Sequence, residues 1–425
     1  MAMEPGATER PPCLLVAGRA YGSALGIMRS LGRRGVSCHV GVLGEASPLP
    51  YAASRYCTKA QRLGSGTDEA VARSLLDWVR RVRPGVRAPL MPVSDDGCRA
   101  VQKVRGELER LCRPVLPDER VLGAVLDKTA AERAAERAGL RTPRAIAAST
   151  VSELEDRIRD LRAPFIVKPA RPGSIPGLKA KVVRDPEACV GLARSLAWDG
   201  GELLVQEYVD GPDTSVFVYL CYRSRNTGRI VDWTGRKLRQ SPPGAGIMAY
   251  GTSEDLPEVR RLGRSLVRYL GYSGVAGAEF KRDRDGYVFI EINPRFAGFH
   301  GLAARAGVDL AWSAYVDTAL GQPNAAPKQH GATYLNGQTY AKVVLSPGGL
   351  RMALGDFPRF LRTRNRTWAV WNLLDPSPGP VGAAVEVRRA AGLVREALAS
   401  KVRAQRPKSG AQGSESSRRQ IDDAS

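Results

Sequence analysis

This 425-residue sequence predicts an α/β fold that passes into α+β beyond about residue 117. Three observations carry that expectation. Short apolar runs and helical stretches alternate as far as Pro117, the pattern of a small parallel sheet. After Gly139, strands and helices mix. Near residue 290, two strand-like runs flank a tight turn.

The apolar run CLLVAG at 13–18 reads as a buried strand, followed by a glycine-bearing turn and a helix through about Arg34. SCHVGVL at 37–43 is the next strand. A helix is expected over 67–83, a strand at PLMPV (89–93) and a helix over 97–111. Gly18, Gly22 and Gly26 do not form G-x-G-x-x-G. They are read as serving a tight turn and close packing, not a dinucleotide.

A single helix is expected over 118–138, ended by Gly139 with Pro143 beyond. Strands follow at FIVK (165–168) and KAKVV (179–183), joined by a Gly/Pro loop. A helix then covers 186–197, and strands cover 203–209 and 214–222. Val259, Leu262, Leu266 and Leu270 share one helix face, started by Asp255 and Pro257 and stopped by Gly271. Past residue 322 lies PRFLRTRNRTWAVW (358–371), then DPSPGP and a helix near 384–400. Residues 401–425 contain no aromatic and are expected to be disordered.

With 43% hydrophobic residues the composition is that of a globular chain. No apolar run approaches the ~20 residues of a membrane span. Cys13 to Ala17 is too short for a signal-peptide core, and a cytoplasmic location is the expectation. The seven cysteines include no C-x-x-C pair and are expected as free thiols. A net charge of +21 favours anionic partners. The arginines are scattered, so a solvated surface is expected and no nucleic-acid partner.

The most informative stretch is VAGAEFKRDRDGYVFIEINPR, 275–295. A three-residue loop, Arg284-Asp285-Gly286, would pair Asp283 with Tyr287, Lys281 with Phe289, Glu279 with Glu291 and Gly277 with Asn293. Strand alternation would then turn Val288, Ile290 and Ile292 to one face, and Glu291 and Asn293 to the other. Carboxylates directly opposed on two strands lie about 5 Å apart, where like charges repel. They must share a proton or bind a cation, and an all-oxygen donor set suits Mg2+, with Mn2+ as an alternative. Arg295 follows the strand, where it could grip a phosphate or carboxylate.

With these residues in place, the sequence resembles the ATP-grasp superfamily over most of 13–320, nearest to its carboxylate–amine/thiol ligases. The resemblance implies a pre-ATP-grasp, Rossmann-like domain (1–117) and a two-lobed ATP-grasp domain (118–322), its small lobe about 118–200 and its large lobe about 201–322. A C-terminal extension of unknown role (323–400) would follow. In FIEINPR and AEF the implied magnesium ligands are Glu291, Asn293 and Glu279. Asp127-Lys128 and FIVKPA imply that Lys128 and Lys168 contact the ATP phosphates.

VQEYVDGPD resembles the interlobe hinge. Gln206, Glu207 and Val209 would lie at the nucleotide, and Asp213 would meet the ribose hydroxyls. GRKLRQSPPGAG would offer Arg236, Lys237 and Arg239 to an acid substrate or its acyl phosphate, and His300 could touch substrate or serve the core. The loop Arg171–Leu178 departs from the family in having fewer glycines, and its two prolines would stiffen it.

The implied reaction is ATP- and Mg2+-dependent joining of a small carboxylic acid to an amine, or to a thiol. The alternatives are a biotin-dependent carboxylase-like subunit, a non-catalytic nucleotide-binding module and an anion-surface adaptor. A homodimer is neither supported nor excluded.

Overall fold

The computed structural model describes residues 10–19, 21–171, 174–178, 180–196, 201–322 and 327–388. Two compact units divide the chain, Met1–Gly382 and Ala383–Ser425; of the second, residues 383–388 are described and helical. The tail expected to be disordered (401–425) lies outside the described residues, as does most of the helix expected near 384–400.

The first sheet contains β1 (Cys13–Ala17), β2 (Cys38–Leu43), β3 (Lys59–Gly64), β4 (Pro89–Pro92) and β5 (Arg113–Pro114). Their order is β3-β2-β1-β4-β5, and every pairing is parallel. This is the α/β arrangement expected. The strand β3 was not foreseen: KAQRLG buries only Leu63 fully, so it lacks an apolar alternation to read.

Where one helix was expected over 118–138, two are found, Glu119–Leu126 and Lys128–Arg137. Asp127 separates them. Its backbone is extended (φ −91°, ψ 114°) and its carboxylate accepts a hydrogen bond from the Ala130 amide at 3.0 Å. The cap makes Lys128 the first residue of a helix.

The second sheet holds β6 (Ala145–Ala148), β7 (Phe165–Pro169), β8 (Lys181–Val183) and β9 (Leu203–Glu207), antiparallel in the order β6-β9-β7-β8. The third holds β10 (Val216–Arg223), β11 (Ile230–Ser241), β12 (Ile247–Ser253), β13 (Gly274–Asp283), β14 (Gly286–Asn293), β15 (Thr333–Leu335) and β16 (Arg366–Trp368). Its order is β14-β13-β10-β11-β12-β15-β16. The segment GRKLRQSPPGAG thus ends β11 and turns into β12. Residues beyond 322 supply β15 and β16, so this sheet extends past the boundary drawn from sequence.

Both faces of the third sheet are covered. On one, Val218, Leu220 and Trp233 share a core with Leu15 and Met28 of the first sheet's layer. On the other, Tyr219, Phe280 and Phe289 meet Val259, Leu262 and Leu266 of the helix Pro257–Tyr269. All seven cysteines are free, and six are buried.

A buried polar clasp secures the chain after β16. Asp375, 1% exposed, accepts from Arg29 Nε (2.9 Å), Ser54 Oγ (2.8 Å) and the Arg55 amide (3.0 Å). Removing one member of a buried ion pair strands the other. Asp375→Asn should cost about 3 kcal/mol in a denaturant titration, whereas substitution of the exposed Asp285 should cost under about 0.5 kcal/mol.

Candidate active site

The hairpin β13–β14 sets the two carboxylates. Glu279 lies directly opposite Glu291, and Gly277 opposite Asn293, as the sequence predicts. The route differs. The loop is two residues long, so Asp283 pairs with Gly286 (φ 123°), Arg282 with Tyr287 and Lys281 with Val288. A bulge at Ile290 then absorbs the extra residue. The bulge also overturns the expected face of Val288, Ile290 and Ile292, because Phe289 and Ile292 share one core cluster.

Lys237 on β11 reaches Glu279. Its ammonium is 2.6 Å from Glu279 Oε2 and 2.9 Å from the Gly246 carbonyl, and its side chain is 3% exposed. Burial, with Glu291 adding to it, pushes the Glu279 carboxyl above its ordinary range, while Lys237 opposes the shift. Burial would raise Glu291 too. There the Asn293 amide, donating to Oε1 at 2.9 Å, and the cations Lys168, Lys237 and Lys128 hold it below the ordinary range. The expectation that the two carboxylates require a metal or a shared proton is therefore answered partly by lysine.

The Asn293 amide nitrogen is committed to Glu291, which leaves its carbonyl oxygen turned to the site, 3.4 Å from Arg295 Nη2. Glu279, Glu291 and Asn293 thus offer oxygen donors from adjacent positions and fit a hard divalent cation. Arg295 Nε donates to Asp95 Oδ1 at 2.6 Å. Asp95 opens the helix Asp95–Lys103 just after β4, so the first sheet braces the strand bearing the carboxylates. The sequence reading missed Asp95, although SDD after a strand is a helix-start signal.

A pair of lysines faces the carboxylates. Lys168 on β7 is 5% exposed. The Lys128 amide donates to the Ala170 carbonyl at 2.9 Å, fastening its helix to the end of β7. Burial, and then the charge of Lys168, lower the Lys128 ammonium to about 8. Glu132, one turn on and 7% exposed, is raised by burial to about 7, and one of its oxygens lacks a partner.

On β9, Leu203 and Val205 enter the second sheet's core, which turns Gln206 to the opposite face with Lys168. The buried Gln206 amide nitrogen also lacks a partner. Two desolvated ammoniums and an unused donor fit an anionic, hydrogen-bonding ligand such as a nucleotide triphosphate.

The remaining predicted residues are less convergent. Asp213 accepts from the Gln240 amide (3.0 Å), Gln240 Nε2 (2.9 Å) and the Gly244 amide (3.0 Å), so it pins the β11–β12 turn. The Glu207 carboxylate accepts from the Arg162 amide at 2.9 Å, and Val209 lies two residues beyond the end of β9. Arg236 does not join Lys237. It pairs with Glu254 at 2.8 Å, next to Phe217 on the opposite face, while Arg239 binds Asp356 at 2.9 Å. His300 is buried against the Ser23 carbonyl (2.7 Å) and the Phe296 ring, a core role. Sequence reasoning also missed Lys281, 3% exposed, whose ammonium lies 3.2 Å from the Tyr208 hydroxyl and over its ring.

A pH dependence follows from Lys128. The free protein loses this proton near pH 8, whereas bound phosphate favours the charged form. Affinity for Mg-ATP should be full below about pH 8 and weaken above it, by up to about tenfold per unit. Lys128→Met should bind weakly and show no such slope, as calorimetric titration at several pH values would reveal.

Parts of the chain are similar to known proteins. The family described as ATP-grasp in the biosynthetic pathway with Ter operon matches residues 200–340. A formate-dependent phosphoribosylglycinamide formyltransferase of Flavobacterium psychrophilum is 25% identical over 192 residues, 44% of this chain and 50% of that protein. A D-alanine–D-alanine ligase of Paracidovorax citrulli is 32% identical over 113 residues, 26% of this chain and 33% of the ligase. The chain spans at most half the length of the curated relatives it matches. Among solved structures, a nucleotide complex of biotin carboxylase from Campylobacter jejuni superposes with a TM-score of 0.59 at 16% identity, covering 75% of this chain and 73% of that one. The similarity to the ATP-grasp family is thus carried by residues 200–340, and the likeness to the solved structure is one of fold.

Proposed function

We propose that this protein is an ATP- and Mg2+-dependent ligase that activates a carboxylic acid as an acyl phosphate, which an amine, or less favourably a thiol, then attacks. The observation that carries this reading is the facing of two charge sets: Glu279, Glu291 and Asn293 on one side, Lys128 and Lys168 on the other. Magnesium held by the oxygen donors would neutralise phosphate charge as the γ-phosphoryl group moves.

Lys128 and Lys168 would hold the phosphates. Lys237 holds Glu279 in place and opposes the effect of burial on its carboxyl, and Arg295, held by Asp95, orients the end of β14. In the first step a carboxylate oxygen bonds to phosphorus and ADP leaves. In the second the amine bonds to the acyl carbon, phosphate leaves, and the amine proton passes to solvent. We further propose a small lobe over about 118–200, a large lobe from about 201 whose sheet takes in β15 and β16 beyond 322, a small-molecule acid and amine as substrates, and Gln206, Glu207, Val209 and Asp213 as the nucleotide's hinge and ribose neighbours.

The test is phosphate release from Mg-ATP in the presence of pooled amino acids, other carboxylic acids and bicarbonate. Release stimulated by one organic-acid pool supports the ligase. Release with bicarbonate alone favours the carboxylase-like reading. Nucleotide binding without release from any pool favours a binding module.

A further inference from the structure

The helix Gly349–Arg362 buries Gly349, Asp356 and Phe360, the last beneath Tyr250 and Trp368. That is one side of the helix. Leu350, Leu354, Phe357 and Leu361 recur at i, i+4, i+7 and i+11, a second stripe along its length. They are 66, 72, 42 and 46% exposed; Phe357 meets the Trp368 ring edge-on at 6.3 Å and keeps the rest of its ring in solvent. Leu345, just before the helix, is 86% exposed. Single exposed apolar side chains are ordinary, but a stripe running the length of a helix marks an interaction surface.

The charge around the stripe selects the partner. Between Gly337 and Trp371 all the basic side chains are exposed: Lys342, Arg351, Arg359, Arg362, Arg364 and Arg366. The one acid in that stretch, Asp356, is 3% exposed and neutralised by Arg239. An apolar stripe beside an acid-free arginine surface is the pattern of a helix lying in an anionic lipid interface. Nucleic acid would use the arginines and leave the leucines in water. No described helix is long and apolar enough to cross a membrane, so contact in the plane of the surface is the mode that fits.

We propose that the helix Gly349–Arg362 docks on an anionic bilayer surface, with Leu350, Leu354, Phe357 and Leu361 inserted among the lipids and the flanking arginines on headgroup phosphates. The proposal is independent of the ligase reading.

Co-sedimentation of the full chain with vesicles tests it, comparing phosphatidylcholine alone with phosphatidylcholine containing about one-third phosphatidylglycerol. The anionic vesicles should bind at least about tenfold more protein. The double variant Leu354→Glu/Phe357→Glu alters exposed positions only. It should lose at least about tenfold in partitioning, with an unchanged circular dichroism spectrum and unchanged Mg-ATP binding. Arg359→Glu/Arg362→Glu should weaken binding and its salt dependence. Three outcomes would overturn the proposal: no vesicle binding by the wild type, undiminished binding of the leucine–phenylalanine variant, or loss in that variant of a soluble dimer that ignores vesicles. The second would assign binding to net charge alone, and the third would assign the stripe to a second copy of the chain.

Discussion

Glu291→Gln should lower acid-dependent phosphate release from Mg-ATP by about a thousandfold, equivalent to about 4 kcal/mol of transition-state stabilisation. Glu291 is the carboxylate that stays ionised, because Asn293 and three lysines oppose the effect of burial. A glutamine keeps the shape and one acceptor but removes the negative charge that Glu291 would offer to magnesium opposite Lys128 and Lys168. The effect should appear in kcat with little change in melting temperature, since the amide remains in reach of Asn293. A loss confined to a raised KM for ATP, with kcat unchanged, would instead make Glu291 a binding residue.

Lys237→Met should destabilise the protein by roughly 4 kcal/mol, lowering the melting temperature by roughly 5 °C. Lys237 is 3% exposed and lies 2.6 Å from Glu279. Without it, Glu279 keeps a buried charge beside Glu291, or takes up a proton to lose it. Millimolar Mg2+ should then raise the melting temperature of the variant more than that of the wild type, because the cation supplies the missing positive charge. Pairing Lys237→Met with Glu279→Gln should recover much of the lost stability, the coupling expected of residues in contact. Equal Mg2+ shifts in variant and wild type would remove Glu279 from the metal site.

The hairpin illustrates how far the residues alone could be read. Glu279 was matched with Glu291 through two offsetting deviations, a loop one residue shorter than expected and a bulge at Ile290. A period-two pattern is blind to a bulge, so the pairing near the turn and the faces of Val288 and Ile290 were misread. The parallel first sheet was legible because β1, β2 and β4 are apolar runs between helices, whereas the polar edge strand β3 carries no such signature.

Arg236 and Lys237 looked alike because they are neighbours in a basic segment. On a strand, neighbours face opposite ways, and only Lys237 reaches Glu279. The break at Asp127 was hidden in a long helical pattern because a cap resembles any other acidic residue until a helix begins on it. Asp95 and Gln240 meet Arg295 and Asp213 from distant segments, and spacing along the chain cannot encode those contacts.

The most direct measurement follows oxygen. Once a stimulating acid is found, it should be labelled with 18O in its carboxyl group and turned over with Mg-ATP and the amine acceptor. Activation as an acyl phosphate predicts that one labelled oxygen appears in the released phosphate for each product formed, and that Glu291→Gln abolishes the transfer. Phosphate carrying only unlabelled oxygen from the acid would contradict carboxylate activation.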